Sequence, residues 1–149
     1  MGKKEAIMIQ RIQSIFLILA GGASFGLLGL PFASTDAAAA SGLFADSRYT
    51  IQDNAVLMIL FLAAGLAAVV AVLFYKNRPL QMRVAAIVAL VLAVGGGLGA
   101  YFYLQDAGHG AVKPAIGAAM PVLGIILALV ARRYIGKDEK LVRSMDRLR

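Results

Sequence analysis

The feature that most constrains this chain is a short basic stretch, Lys76-Asn77-Arg78-Pro79-Leu80-Gln81-Met82-Arg83, set between two apolar runs at residues 55–75 and 84–104. Each run is 21 residues long and neither holds a charged side chain. At ~1.5 Å of rise per residue, a helix of that length crosses a hydrocarbon layer of roughly 30 Å. So short a connection permits only the turn of a helical hairpin, and Asn77 and Pro79 suit a turn. Three cations and no acid assign it to the cytoplasmic side under the positive-inside rule.

Composition agrees. Hydrophobic residues make up 60% of the chain and charged residues 15%, outside the range of soluble domains. The runs are apolar on every face, which no surface helix of a soluble protein tolerates. In 149 residues there is room for one membrane domain, residues 1–149, and for no soluble domain beside it. The absence of cysteine excludes disulfide scaffolds, thiol catalysis and thiolate metal sites. The net charge of +7 flanks the apolar runs, where it sets orientation and meets anionic lipid headgroups, so no nucleic-acid partner is expected.

In chain order, a first span is expected at about residues 12–32. Its apolar region exceeds the ~7–15 residues of a signal-peptide core, so a retained span is expected rather than a cleaved leader. An outer loop follows, in which Leu43, Phe44 and Tyr49 are placed to dip into the headgroup layer. The second and third spans are residues 55–75 and 84–104, ending in an interfacial aromatic belt, Tyr101-Phe102-Tyr103. His109, in the next loop, reads as an ordinary loop residue. Pro114 can open a fourth span at residues 114–134, since proline at a first helical position loses no hydrogen bond. With both termini inside, 13 basic residues are cytoplasmic and only Arg48 and Lys113 are outside. The expected fold is all-α, an antiparallel four-helix transmembrane bundle with both termini cytoplasmic.

A tail, residues 135–149, is expected to form a separate short cytoplasmic helix, with Asp138 as N-cap and Glu139 at the positive end of its dipole. Leu141, Met145 and Leu148 make one apolar edge, and Glu139 pairs with Arg143 at helical spacing. The tail reads as a membrane-surface helix or as a docking helix for a cytoplasmic partner, and its mixed charges suit pairing with another protein surface. Candidate contacts to partners or lipid headgroups are Lys76, Arg78, Arg83, Arg132, Arg133, Lys137, Lys140, Arg143 and Arg147. Deleting residues 137–149 is expected to leave the spans stable and to lose a partner.

Three stretches carry a family resemblance: Met8-Ile9-Gln10-Arg11-Ile12-Gln13-Ser14; Phe74-Tyr75-Lys76-Asn77-Arg78 with Leu80-Gln81 and Arg83; and Lys137-Asp138-Glu139-Lys140-Leu141-Val142-Arg143-Ser144 followed by Asp146-Arg147-Leu148-Arg149. From Met8 to Arg149 the chain resembles a four-span inner-membrane family of the Bacteroidota catalogued as domain of unknown function 4293. The resemblance implies four spans in a bacterial cytoplasmic membrane and brings no established activity with it.

The spans are poor in chemistry. Ionisable groups inside a bilayer usually mark ion or proton paths. Spans two to four hold no charged residue, the apolar part of the fourth ending near Ala131 before its Arg132-Arg133-Tyr134 anchor, and span one offers only Gln13, Ser14 and Ser24. A small drug exporter, a haem anchor and a quinone-linked disulfide generator each need residues that are missing. With no nucleophile–base pair, metal cluster or phosphate-binding loop, no enzyme activity and no cofactor are expected. Gly95-Gly96-Gly97-Leu98-Gly99 reads as packing.

Small residues recur instead. Gly22 and Gly26 form a GxxxG step; Ala63, Ala67 and Ala71 repeat in the second span, and Ala85, Ala89, Ala93 and Gly97 in the third. Such stripes let helix backbones approach where no hydrophobic effect operates between helices. Pro121 is expected to bend the fourth span at the depth of the glycine cluster. The expected function is a structural or accessory subunit that binds other membrane proteins, with a homo-oligomer left open. The alternatives are a small transporter or channel, or a lipid- or quinone-binding membrane protein.

Overall fold

The computed structural model describes residues 3–36, 42–106 and 112–146, with side chains from residue 12 to residue 145 within those stretches. Four helices dominate: α1 (Lys3–Gly26), α2 (Ala55–Leu73), α3 (Arg78–Gln105) and α4 (Met120–Asp146). α2, α3 and the segment Ile116–Met145 are long and apolar enough to cross a membrane, while the apolar part of α1, Ile12–Gly26, is shorter.

Each boundary has a local cause. The Asn54 side chain accepts from the backbone N–H groups of Val56 and Leu57, at 2.9 and 3.4 Å, and starts α2. Asn77 does the same for α3, accepting from Leu80 at 3.2 Å, with Pro79 in the first turn where its missing N–H costs nothing. The hairpin turn is therefore only residues 74–77, and Arg78 to Arg83 already belong to α3. α1 ends at Gly26, six residues before the expected limit at Phe32. Bonds such as Leu28 N–H to Phe25 O (3.0 Å) tighten the next turn, and Pro31 then prevents helix from resuming.

The segments joining α1 to α2 and α3 to α4 meet in a small antiparallel sheet that sequence reading did not foresee. It comprises β1 (Ala33–Thr35), β2 (Arg48–Tyr49) and β3 (Val112–Pro114), in the order β2-β1-β3. Ala33 pairs with Tyr49 on one side and with Pro114 on the other. Gly117 closes this end: its N–H donates to Pro31 O at 3.1 Å, and an added Cβ would clash with that oxygen. Because all three strands lie in one sheet, α1 and α3 end where α2 and α4 begin, and the bundle runs up-down-up-down.

α1 and α3 each pack along both α2 and α4, which sets α1 diagonal to α3. The core is layered. Leu17, Ala71, Ala85 and Ala131, one from each helix, are fully buried in a single cluster near the hairpin end. Toward the sheet end the core widens to Leu92, Phe61, Leu57 and Leu27 and runs on into the cap. Phe44 and Tyr49 are 0% and 1% exposed, so their rings are covered by protein and are not presented to a headgroup layer. They sit instead in an aromatic cluster, with Phe32–Tyr49 centroids at 5.3 Å, Phe32–Phe61 at 5.9 Å and Phe44–Tyr103 at 6.2 Å. The sheet pins both loops over the helix ends and turns these rings inward.

Two expectations about the fourth helix are corrected. Pro114 ends β3, and a 3-10 turn, Ile116–Ala119, precedes α4. Pro121 is thus the second residue of α4 and bends nothing, since a first-turn proline breaks no helical hydrogen bond. The tail is also no separate helix. α4 runs unbroken through Gly136 to Asp146, and Asp138 lies within it rather than at a cap.

Candidate functional site

A cavity of about 530 Å³ opens between α3 and α4 at the sheet end. Its α3 wall is Leu92, Ala93, Gly96, Gly97 and Ala100, and its α4 wall is Pro121, Val122 and Ile125. Phe32, Tyr49 and Pro114 close it from the cap. The cause is local: at Gly97 an added Cβ would meet nothing within 4 Å. One residue earlier the helices do touch, for a Cβ on Gly96 would lie 3.1 Å from the Pro121 Cβ. Glycines on one face of α3 thus leave a groove beside a close contact.

No charged side chain lines this crevice among the described residues. Two tyrosines, Tyr49 and Tyr103, are among its lining residues, and the Tyr49 hydroxyl donates to the carbonyl of Gly99 at 2.9 Å. Burial, with the Asp53 carboxylate adding to it, pushes this phenol up to about 12. It therefore stays neutral at ordinary pH, with its proton committed to the backbone. Such a wall offers shape and apolar contact.

The opposite end of the same helix pair is held by charge. Arg78 Nε donates to Asp138 Oδ2 at 2.6 Å, and the two side chains are 24% and 3% exposed. Arg78 is therefore not a free headgroup contact, and the start of the tail lies inside the bundle's packing. Deletion of residues 137–149 would remove a buried partner, contrary to the expectation that it leaves the spans undisturbed. The Arg143–Glu139 pair forms at 2.8 Å on the surface. Lys76 and Lys137 lie over the rings of Tyr75 and Tyr134, at 5.8 and 5.4 Å from their centroids. Arg83, Arg132, Arg133 and Lys140 are exposed. Arg147, Leu148 and His109 lie outside the described residues.

The small-residue stripes divide. Ala85 and Ala89 are 0% and 7% exposed within the bundle, whereas Ala93 and Gly97 turn outward. A repeat of four residues advances about 40° beyond a full turn at each step, so three steps carry it about 120° off the face where it began. The buried line of α3 instead alternates threes and fours through Ala85, Val88, Leu92, Gly95 and Gly99. The GxxxG pair is no close contact either: Gly22 is exposed and would meet nothing if given a Cβ, and the Cβ of Gly26 would only brush Leu30 at 3.8 Å. Ala63 is likewise exposed, while Ala64 and Ala68 are buried. Close approach falls to Gly21, beside Gly65 O at 3.2 Å, and to Gly65, whose Cβ would strike the Phe25 ring at 2.8 Å. Pro121 does pack, against Gly96, at the depth at which the sequence sets it beside the glycine cluster.

Four helices share one core, and three of the helical segments are long and apolar enough to cross a membrane, which makes this a helical bundle consistent with a membrane protein. Within that class the chain belongs to the family described as domain of unknown function DUF4293, whose model matches residues 9–148. No curated protein and no solved structure matches the chain.

Proposed function

We propose that this is a multi-pass protein of a bacterial cytoplasmic membrane that holds one apolar chain of a lipid-class molecule, acyl or prenyl, in the α3–α4 crevice. Both chain ends lie on the cytoplasmic side. It acts as an accessory component beside other membrane proteins, without catalysis of its own. The observation that carries this reading is the crevice: its ~530 Å³ falls within the roughly 300–1,000 Å³ of small-molecule sites, and its lining is uncharged. Orientation rests on charge. The sheet end has only Arg48 and Lys113 as cations, while the hairpin end has Lys76, Arg78, Arg83, Arg132, Arg133, Lys137, Lys140 and Arg143. A bilayer tail is as apolar as the crevice, so entry brings little hydrophobic gain, and selection among chains falls to shape.

The test is purification of the full chain in mild detergent, extensive washing with fresh detergent, then mass spectrometry of retained lipid. Gly97→Phe is the blocking variant, because residue 97 faces open space and the replacement fills the crevice without striking the core. One apolar-chain species retained at a fixed ratio by the parent chain and lost from Gly97→Phe supports the reading. Equal retention by both overturns it.

A further inference from the structure

The hairpin end contains a second feature, independent of the crevice. Gln13 on α1 and Gln81 on α3 are both fully buried. Their four amide atoms, Nε2 and Oε1 of each, have no hydrogen-bond partner among the described residues. A buried polar group left in that condition is costly, because it has given up water without a replacement partner. Helical register shows where the amides stand. Gln13 is one turn beyond Leu17, and Gln81 one turn beyond Ala85, so both continue the stripes that form the last apolar layer. α1 and α3 are diagonal, which brings the two amides toward the bundle axis from opposite sides. α4 supplies the fully buried Ile135 at this level, while α2 has already ended at Leu73. One turn farther out, Arg78 and Asp138 close the end.

We infer that this layer is an internal water site: ordered water bridges the amides of Gln13 and Gln81, with the Arg78–Asp138 pair closing it from outside. The chemistry selects the guest. Each amide offers one acceptor oxygen and a donor NH₂ group, so its complement must both donate and accept, as water does. A cation would satisfy only the two oxygens and would sit near the Arg78 guanidinium. An anion would satisfy only the two nitrogens and would face the Asp138 carboxylate. Buried waters take two to four polar partners, and the two glutamines supply four polar atoms. The layer then marks where the dry core of the bundle stops.

The experiment is solid-state NMR of the full chain in lipid bilayers with labelled glutamine side chains, reading magnetisation transfer from water to each Nε2. The Gln52 amide, exposed and bonded to Leu28 O at 2.9 Å, serves as the reference. Transfer from long-lived water is expected at both Gln13 and Gln81, with Gln13→Met weakening the signal at Gln81. Thermal unfolding supplies a second reading that does not depend on the spectra. Gln13→Met and Gln81→Met should each lower Tm, and the double variant should recover most of that loss. Absence of water transfer, or transfer only between the two amides or to another side chain, overturns the proposal. So do strictly additive Tm losses.

Discussion

Helices α3 and α4 run side by side, yet the two ends of their seam are made from opposite materials. At the sheet end the contact is one glycine against one proline, Gly96 on Pro121, beside a crevice of about 530 Å³. At the hairpin end the pair is joined by Arg78 and Asp138 at 2.6 Å, with buried Gln81 one turn inward. Shape holds one end, and a directional charged bond holds the other. A packing contact between apolar surfaces loses little when surrounding lipid replaces it, whereas an ion pair at a buried site cannot be replaced so cheaply. The seam is thus fixed by a directional bond at its polar end and by shape alone at its apolar end, where the crevice lies.

The strongest way to break this contrast is to unpin the polar end. Arg78→Met leaves the Asp138 carboxylate, 3% exposed, without its cation. Breaking a buried pair from one side costs about 3–5 kcal/mol, toward the lower figure here because Arg78 itself reaches solvent. The double variant Arg78→Met/Asp138→Leu removes both charges and is expected to recover most of the loss. Unfolding by denaturing detergent, followed by helical circular dichroism, measures both. A single variant as stable as the parent would show that the pair is not what closes the seam.

These two ends were not equally legible in the sequence. Helices α2 and α3 are nearly where the apolar runs place them, because a run apolar on every face has one stable form in lipid. The hairpin was readable but its limits were not: Asn77 and Pro79 are turn residues by type, whereas Asn77 caps α3 and Pro79 lies in its first turn. What escaped was non-local. Asp138 follows Gly136 and looks like a helix start, yet its partner stands 60 residues earlier. The sheet is built from strands of three, two and three residues, too short for alternation to show. The crevice was half visible. Gly97 and Pro121 could be set at one depth by counting, but whether they filled or opened the space depended on rotation about α3, which a four-residue stripe misjudges by about 40° per step.

A smaller effect sharpens the description of the apolar end. Tyr49→Phe removes the hydroxyl that donates to Gly99 O at 2.9 Å, at an expected cost of about 0.5–1.5 kcal/mol. The same group gives the cap its alkaline limit. The phenol ionises near 10.0 in the unfolded chain and near about 12 when folded. Above pH 10 the unfolded chain therefore gives up a proton that the folded chain keeps. Its stabilisation is complete below pH 10 and is lost as pH rises through about 12. Thermal melts between pH 9 and pH 12 should fall for the parent chain and fall less for Tyr49→Phe. Parallel curves would mean that the hydroxyl is not the buried group described here.

The finest test compares neighbours on the same helix. Gly97→Ala places a methyl into the open crevice, where nothing lies within 4 Å, so its effect comes through backbone entropy alone. Alanine in a helix interior is favoured over glycine by roughly 0.5–1 kcal/mol, and this variant should be more stable by about that much. Gly96→Ala has the same entropy gain, but its methyl meets the Pro121 Cβ at 3.1 Å, tighter than an ordinary contact. Proline is fixed by its ring and cannot rotate aside. Either α4 shifts or the strain cancels the gain, so Gly96→Ala should end below Gly97→Ala and near or beneath the parent. The ordering carries more weight than either value, since both substitutions alter the unfolded chain alike. If Gly96→Ala proved the more stable of the two, the seam would be open at residue 96 and closed at residue 97. The crevice would then lie on another face of α3.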